Sequence, residues 1–323
     1  MFKYSNKMLF FTMMILGSLL VLSSNNWLSI WMGLEINLMS FIPLMLNSKN
    51  SSLSEGCMMY FLIQTISSIL LLFSILIKPA QIIMLMNMTQ NIIIVSMMMK
   101  LGLPPFHYWF VFVMKKVEWY SCLTLMTWQK IAPLTILSYM DFNIIIAFIA
   151  SIVANITAIN QTDLRKIMAL SSINHLGWML TCMKESNTWM IYLLFYSLMS
   201  ASLLIFLKKK KILFINQMNK TKQQCDKLTL SMLMMSMAGL PPFIGFMPKW
   251  MAIQYMMMNM NILLAYLMVM MSLIAVFYYL RMINATLMQN SCKNKWTLNQ
   301  SKSYSSLMLA CNLLLPISIF LIN

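Results

Sequence analysis

Three lysines and one glutamate stand where charged side chains are costly. Lys100, Lys130 and Lys249 fall inside long apolar runs, and Glu35 sits in the apolar run 27–46. A charge at the centre of a bilayer costs about 2.5–3.5 kcal/mol on insertion scales. Four such groups left uncompensated would cost on the order of 10 kcal/mol, comparable to the stability of a whole domain. They are expected to face the interior of a helix bundle and to find partners or water there. Burial disfavours a charged ammonium, and a nearby carboxylate favours it. A buried lysine with a movable glutamate partner is therefore a proton-binding site of switchable affinity, the chemistry that a proton pump requires. A snorkelling side chain or a static ion pair is the plainer reading for each lysine, and it suits Lys130 least, near the centre of 121–140. The two histidines, His107 and His175, are candidates for a proton relay or for hydrogen-bonded core imidazoles.

The surrounding sequence settles the class. Of 323 residues, 60% are hydrophobic and 9% charged, whereas a soluble domain carries roughly 25% charged residues. Apolar stretches of about 18 residues or more recur along nearly the whole chain, each long enough to cross a bilayer as a helix. In lipid the backbone must satisfy its own hydrogen bonds, so these runs read as helices. The longest polar stretch, 208–227, is too short for a separate catalytic domain. The seven glycines bracket no dinucleotide or phosphate loop. Six scattered cysteines (Cys57, Cys122, Cys182, Cys225, Cys292, Cys311) have no spacing that suits a disulfide framework, an iron–sulfur cluster or a zinc site. They read as ordinary buried thiols. No metal or cofactor is expected on this chain, and nicotinamide chemistry must belong to a partner. Forty methionines, and 21 lysines against two arginines, look like an AT-rich gene read with a mitochondrial code.

The elements that must hold these side chains are long helices. Eleven spans are expected, at about 8–24, 27–46, 56–77, 82–116, 121–140, 142–160, 167–183, 188–207, 228–258, 260–283 and 304–322. A straight helix over 82–116 would run to roughly 50 Å, well beyond a hydrocarbon core of about 30 Å. Gly102-Leu103-Pro104-Pro105-Phe106 breaks it, and Gly239-Leu240-Pro241-Pro242-Phe243 breaks the ninth span. Paired prolines remove two backbone donors and clash with the preceding turn. The two pentapeptides are 137 residues apart, an odd number of spans, so the halves are expected to be inverted. Inverted repeats with broken helices at matching positions point to an ion pathway near the membrane midplane. A proline kink used only for packing is the alternative.

Loop charge sorts by side. Lys3, Lys7, Lys49, Lys115, Lys116, Arg165, Lys166, the seven lysines of 208–227, Arg281, Lys293, Lys295 and Lys302 make 18 basic residues on the N-terminal side, against Lys78 and Lys184 on the other. The positive-inside rule then places the N-terminus in the matrix or cytoplasm and the C-terminus outside. The net charge of +16 is thus a topology signal, and no nucleic-acid partner is expected. The run 208–211 reads as a stop at the lipid headgroups. The basic, then apolar, N-terminus resembles a signal peptide but has no small-residue cleavage site, and reads as a retained first span.

Several motifs carry a family likeness: Trp31-Met32-Gly33-Leu34-Glu35-Ile36-Asn37, residues 100–109, and Met126-Thr127-Trp128-Gln129-Lys130-Ile131-Ala132-Pro133. It continues through Asn160-Gln161-Thr162-Asp163-Leu164-Arg165-Lys166, residues 171–178 and residues 239–250. Across essentially its whole length the chain resembles the subunit 2 family of mitochondrial NADH:ubiquinone oxidoreductase (complex I), in its arthropod versions. That family is similar to cation/proton antiporters. The resemblance implies an all-α polytopic protein with two inverted five-helix repeats and two broken helices. The first repeat, 1–140, is shortened at its N-terminus, the second covers 141–283, and 284–323 forms a matrix loop and C-terminal helix. It also implies proton translocation across the mitochondrial inner membrane, coupled to electron transfer in other subunits. NADH, FMN, iron–sulfur clusters and ubiquinone would be held there. The implied partners are other membrane-arm subunits, including neighbouring antiporter-like ones, and the lipid bilayer, with the N-terminus in the matrix and the C-terminus in the intermembrane space.

By matched motif, Glu35 resembles the acid that pairs with the broken-helix lysine, here Lys100. Lys130 looks like the central relay and Lys249 the terminal lysine of the second broken helix, while His107 and His175 match polar-axis histidines. Bacterial members carry additional N-terminal spans, so the first half is expected to need a partner to seal it. Lys100 precedes its pentapeptide and Lys249 follows the other, so the half-sites are not interchangeable. A stand-alone cation/proton antiporter and a structural membrane scaffold are the competing readings.

Overall fold

The computed structural model describes residues 2–46, 51–78, 83–140, 142–183, 188–220 and 224–287. The elements described there are α-helices joined by loops and turns, with a 3-10 helix at Ile215–Lys220 and an isolated bridge between Asp163 and Phe214. Two compact units divide the chain, Met1–Asn143 and Ile144–Asn323.

The first unit holds α1 (Phe2–Ser23), α2 (Trp27–Met45), α3 (Ser51–Ile77), α4 (Ile83–Leu101), α5 (Tyr108–Lys116), α6 (Trp119–Met126) and α7 (Trp128–Ser138). Small residues let α1 and α2 meet closely. A Cβ on Gly17 would stand 3.0 Å from the Gly33 carbonyl oxygen, and one on Gly33 would stand 2.9 Å from that of Gly17. Such contacts hold helices together where lipid supplies no hydrophobic drive. At one end of the unit Lys116 pairs with Glu55. Elsewhere the Lys78 ammonium lies 4.4 Å from the Trp27 ring.

The second unit holds α8 (Ile144–Ile159), α9 (Leu164–Thr181), α10 (Thr188–Lys210), α11 (Gln224–Ala238), α12 (Phe246–Met258) and α13 (Ile262–Leu287). Ala147, Ala150, Ser151, Ala154 and Ala158 form a buried small-residue stripe on α8, and Gly177 of α9 comes close to the Ala147 carbonyl. Every α9 residue from Ile167 to Thr181 is buried, although the helix carries Ser171, Ser172, Asn174 and His175. The loops at 160–164 and 211–217 are strapped together, with Leu164 N–H donating to the Leu213 carbonyl at 2.9 Å and Ile215 N–H to Thr162 at 3.2 Å. Lys210 pairs with Asp226 beside them. Arg281 of α13 donates to the Ile159 carbonyl, the last of α8, and, at 2.9 Å, to that of Gln161 in the loop that follows.

The segments 82–116 and 228–258 are indeed broken at their pentapeptides, into α4 and α5 and into α11 and α12. The segment 121–140 is broken as well, which its sequence did not announce. Thr127, at φ −114° and ψ −71°, separates α6 from α7. Its hydroxyl turns back to the Leu123 carbonyl at 2.8 Å, a local bond that competes with the helical ladder. Pro133, further on, lacks the N–H that the Gln129 carbonyl would accept. Helix α10 outlasts its apolar run and reaches Lys210, because lysines in a last turn suit the negative end of the helix dipole. The expected span 304–322 lies outside the described residues, as do Lys49, Lys184, Lys293, Lys295 and Lys302.

Among the described residues, four helices are long and apolar enough to cross a membrane: Trp27–Met45, Ser51–Ile77, Thr188–Lys210 and Ile262–Asn284. Large apolar side chains cover the outside, among them Leu62, Ile69, Phe73 and Leu76 on α3. Inside lie Asn37, Gln64, Asn155, Asn174 and His175. This inverted distribution suits a lipid exterior. Removing both Arg281 donors by Arg281→Leu is expected to destabilise the second unit by about 1–3 kcal/mol, through the carbonyls left without a donor. A lower unfolding temperature of the detergent-solubilised protein would report it; an unchanged one would show that water replaces the guanidinium.

Candidate functional site

Both pentapeptides end a helix by the same local device. Gly102 and Gly239 adopt left-handed backbone, at φ +70° and +75°. Leu103 N–H then reaches back to the Met98 carbonyl at 3.0 Å and Gly102 N–H to Met99 at 3.3 Å. In the second break Leu240 N–H reaches Met235 at 3.4 Å and Gly239 N–H reaches Ser236 at 3.1 Å. These are Schellman closures, which glycine accepts without a Cβ penalty, and the prolines that follow forbid the helix from resuming at once.

A donor from beyond each break also caps a carbonyl at the broken end. In the first, the Trp109 indole donates to the Met99 carbonyl at 3.0 Å. In the second, the Lys249 ammonium donates to the Ala238 carbonyl at 2.6 Å.

Lys100 lies in the last turn of α4 and is 8% exposed. Lys130, 2% exposed, lies in the first turn of α7, beside the interruption at Thr127. The two lysines line one cavity of about 20 Å³, large enough for one water molecule. Asn37, Tyr60, Gln64 and Gln129 supply its other polar walls. Gln129 donates to the Asn37 side-chain carbonyl at 3.0 Å, and Gln64 donates to the Lys100 backbone carbonyl at 3.3 Å. Tyr60 packs between Phe41 and Trp109, with ring centroids 5.3 and 6.0 Å away, so the wall is stiff. The Lys130 ammonium lies 5.5 Å from the Phe110 ring, on the negative face of its π-system. Half-buried Glu35 acts electrostatically on Lys100 and on Tyr60 from outside the cavity lining. His107, at the start of α5, is half-buried and lies outside that lining.

In the second unit His175 is 2% exposed. Its Nδ1 stands 3.0 Å from the Tyr192 hydroxyl, and its ring lies 5.0 Å from that of Tyr196. The rings of Tyr278 and Tyr279 on α13 lie 4.6 Å apart, tilted by 43°. Asn155 donates to Met271 at 2.9 Å and to the Asn174 side chain at 3.3 Å, which ties α8 to both α13 and α9. Lys249, 5% exposed, is held separately at the second break.

Of the residues singled out by charge, Lys100 and Lys130 meet at one cavity and Glu35 acts on Lys100 through space. Reading for charge alone overlooked Asn37, Tyr60, Gln64 and Gln129, and the tyrosines around His175. A signal was present: Gln64 and Asn155 are amides stranded in apolar helices, and the search for stranded lysines applies equally to them. Buried Cys57, Cys122 and Cys182 are not among the residues lining this cavity, and the side chains of Cys225, Cys292 and Cys311 lie outside those described.

The transmembrane family model described as NADH:quinone oxidoreductase/Mrp antiporter matches residues 24–275, which contain both pentapeptides and all six candidate residues. NADH-ubiquinone oxidoreductase chain 2 of Anopheles gambiae is 41% identical, over 96% of this chain and 94% of its own length. That of Aedes aegypti is 42% identical, over 95% and 93%. Among solved structures, respiratory complex I from Thermus thermophilus with bound aureothin contains a similar chain. Its TM-score is 0.83 at 20% identity, covering 96% of this chain and 77% of that one. A chain of the archaeal membrane-bound sulfane sulfur reductase has a TM-score of 0.81 at 17% identity, covering 97% and 71%. With the antiporter-type model spanning both breaks and insect relatives above 40% identical over nearly the whole length, the chain belongs to the NADH-ubiquinone oxidoreductase chain 2 family.

Proposed function

We propose that this chain is a membrane subunit of respiratory NADH:ubiquinone oxidoreductase in the mitochondrial inner membrane, carrying protons while other subunits carry electrons. NADH, FMN, iron–sulfur clusters and ubiquinone belong to those partners in this reading, and the neighbours in the membrane are other antiporter-like subunits. One observation carries it: Lys100 and Lys130 are both buried at the ends of interrupted helices, around one cavity with room for a water. Two ammonium groups there repel each other, so occupancy by one proton discourages the second. Glu35 is the movable carboxylate of this pair, and its displacement passes a proton from Lys100 towards Lys130. The relay then comprises Glu35, Lys100, Lys130 and Lys249, with His107 and His175 as further stations.

The same reading makes eleven membrane spans in two inverted five-helix repeats, 1–140 and 141–283, followed by 284–323. Matched left-handed glycines at both breaks support the repeat. The N-terminus faces the matrix and the C-terminus the intermembrane space. In support, the basic loops around Arg165 and Lys210 are strapped together, and the guanidinium of Arg281 joins the loop at Gln161.

Lys130→Met is expected to leave the assembled oxidoreductase near its normal amount while lowering coupled NADH oxidation at least tenfold, about 1.4 kcal/mol in the limiting step. Normal proton translocation by that variant in sealed vesicles would end the relay assignment. Orientation is checked by cysteine labelling. Lys211→Cys should react with an impermeant maleimide only from the matrix face, and Lys78→Cys only from the intermembrane face. Labelling of both from one face would overturn the span arrangement.

A further inference from the structure

Lys249 reaches its partner across a gap that only one residue type leaves open. It stands in the first turn of α12 and folds back over the break onto the carbonyl of Ala238, the last residue of α11. That carbonyl has no helical partner and marks the negative end of a half-helix, so it suits a cation. Its 2.6 Å bond to the ammonium is short, as charge-assisted bonds are. Between them lies Gly239. A Cβ there would stand 2.7 Å from the Lys249 Nζ and 2.9 Å from both its Cδ and its Cε. Those are the outer atoms of a flexible side chain, so the Cβ of a larger residue would meet the lysine first and displace it.

The first break shows what is particular about the second. A Cβ on Gly102 would meet the Phe110 Cβ at 2.8 Å, and the capping donor there is the Trp109 indole, which does not titrate. In the second break the lysine itself occupies the space above the glycine.

We propose that Gly239 is a positioning residue for Lys249: its left-handed backbone ends α11, and its missing side chain lets the ammonium dock on the exposed carbonyl. Lys249 is thereby held as a proton site whose charged form is favoured by a backbone dipole, where Lys100 has a carboxylate. This rests on the reading of Lys249 as a proton carrier. The titratable groups of the helices packed on α12, chiefly His175, Tyr192, Tyr196, Tyr278 and Tyr279, form their own cluster. Among the described residues, no acid of α9, α10, α11 or α13 forms a salt bridge with Lys249. Asp226 of α11 is committed to Lys210.

The test uses the complete oxidoreductase in sealed vesicles, with protons translocated per NADH oxidised followed from neutral to alkaline pH. Gly239→Ala adds the Cβ. Gly239→Asn adds it in a residue that accepts left-handed backbone, and carries the test if the alanine variant fails to assemble. Losing a charge-assisted bond removes support for the protonated lysine. The alkaline fall of translocation should therefore move to lower pH by about one unit, a tenfold change in proton affinity. Neither variant should worsen Lys249→Met, because each acts through the lysine. A reduced yield of assembled enzyme with an unmoved pH profile would overturn the proposal, as would an additive defect on Lys249→Met. Normal translocation by Lys249→Met at every pH would instead refute the proton-carrier reading, and the positioning role with it.

Discussion

A backbone carbonyl that loses its helical partner inside a membrane has no water to bond, and leaving it bare costs several kcal/mol. A helix can be interrupted there only if the broken end is satisfied by protein. Both pentapeptides meet that condition with a left-handed glycine, a reversed hydrogen bond of the Schellman type and a donor from the far side of the break. The prolines fix where the helix stops, and the glycines decide that the stop can be closed. The Trp109 indole and the Lys249 ammonium are interchangeable in this capping role, although only one of them can give up a proton.

The three candidate lysines share that setting. Lys100 occupies a last helical turn, Lys130 and Lys249 each a first turn, and every one adjoins an interruption. An unbroken helix in lipid offers a buried cation nothing, since its polar groups are spent on one another. An interrupted helix exposes carbonyls, admits amides such as Gln64 and leaves room for water at the Lys100–Lys130 cavity. The cost of stranding a charge and the cost of breaking a helix thus offset each other. Where these coincide, a group can hold a proton at depth and still respond to its neighbours.

Around these points the fold is arranged inside out. Large apolar side chains face outwards, while α9, which carries Ser171, Ser172, Asn174 and His175, is enclosed from Ile167 to Thr181. Small residues on α8 permit that enclosure, because alanine and serine allow the two helices to approach until Gly177 nearly meets the Ala147 carbonyl. The tyrosine hydroxyl that meets His175 comes from α10, and the Asn155 bonds come from α8. This polar interior is an assembly of several helices and belongs to none of them singly.

The amino-acid order alone determined the class, because apolar runs longer than a membrane is thick admit only helices. It also determined both pentapeptide breaks, since proline removes a donor whatever surrounds it, and it exposed Glu35, Lys100, Lys130 and Lys249 as charges in the wrong solvent. The break at Thr127 was not legible, because threonine tolerates a helix and leaves it only when its neighbours permit. Nor were the walls of the cavity legible. Asn37, Gln64 and Gln129 come from three helices, and their contacts depend on packing that no local spacing encodes. Whether an ammonium finds a carboxylate, a carbonyl or an aromatic face was decided only in three dimensions, because those partners are brought near by helix packing and not by the chain itself.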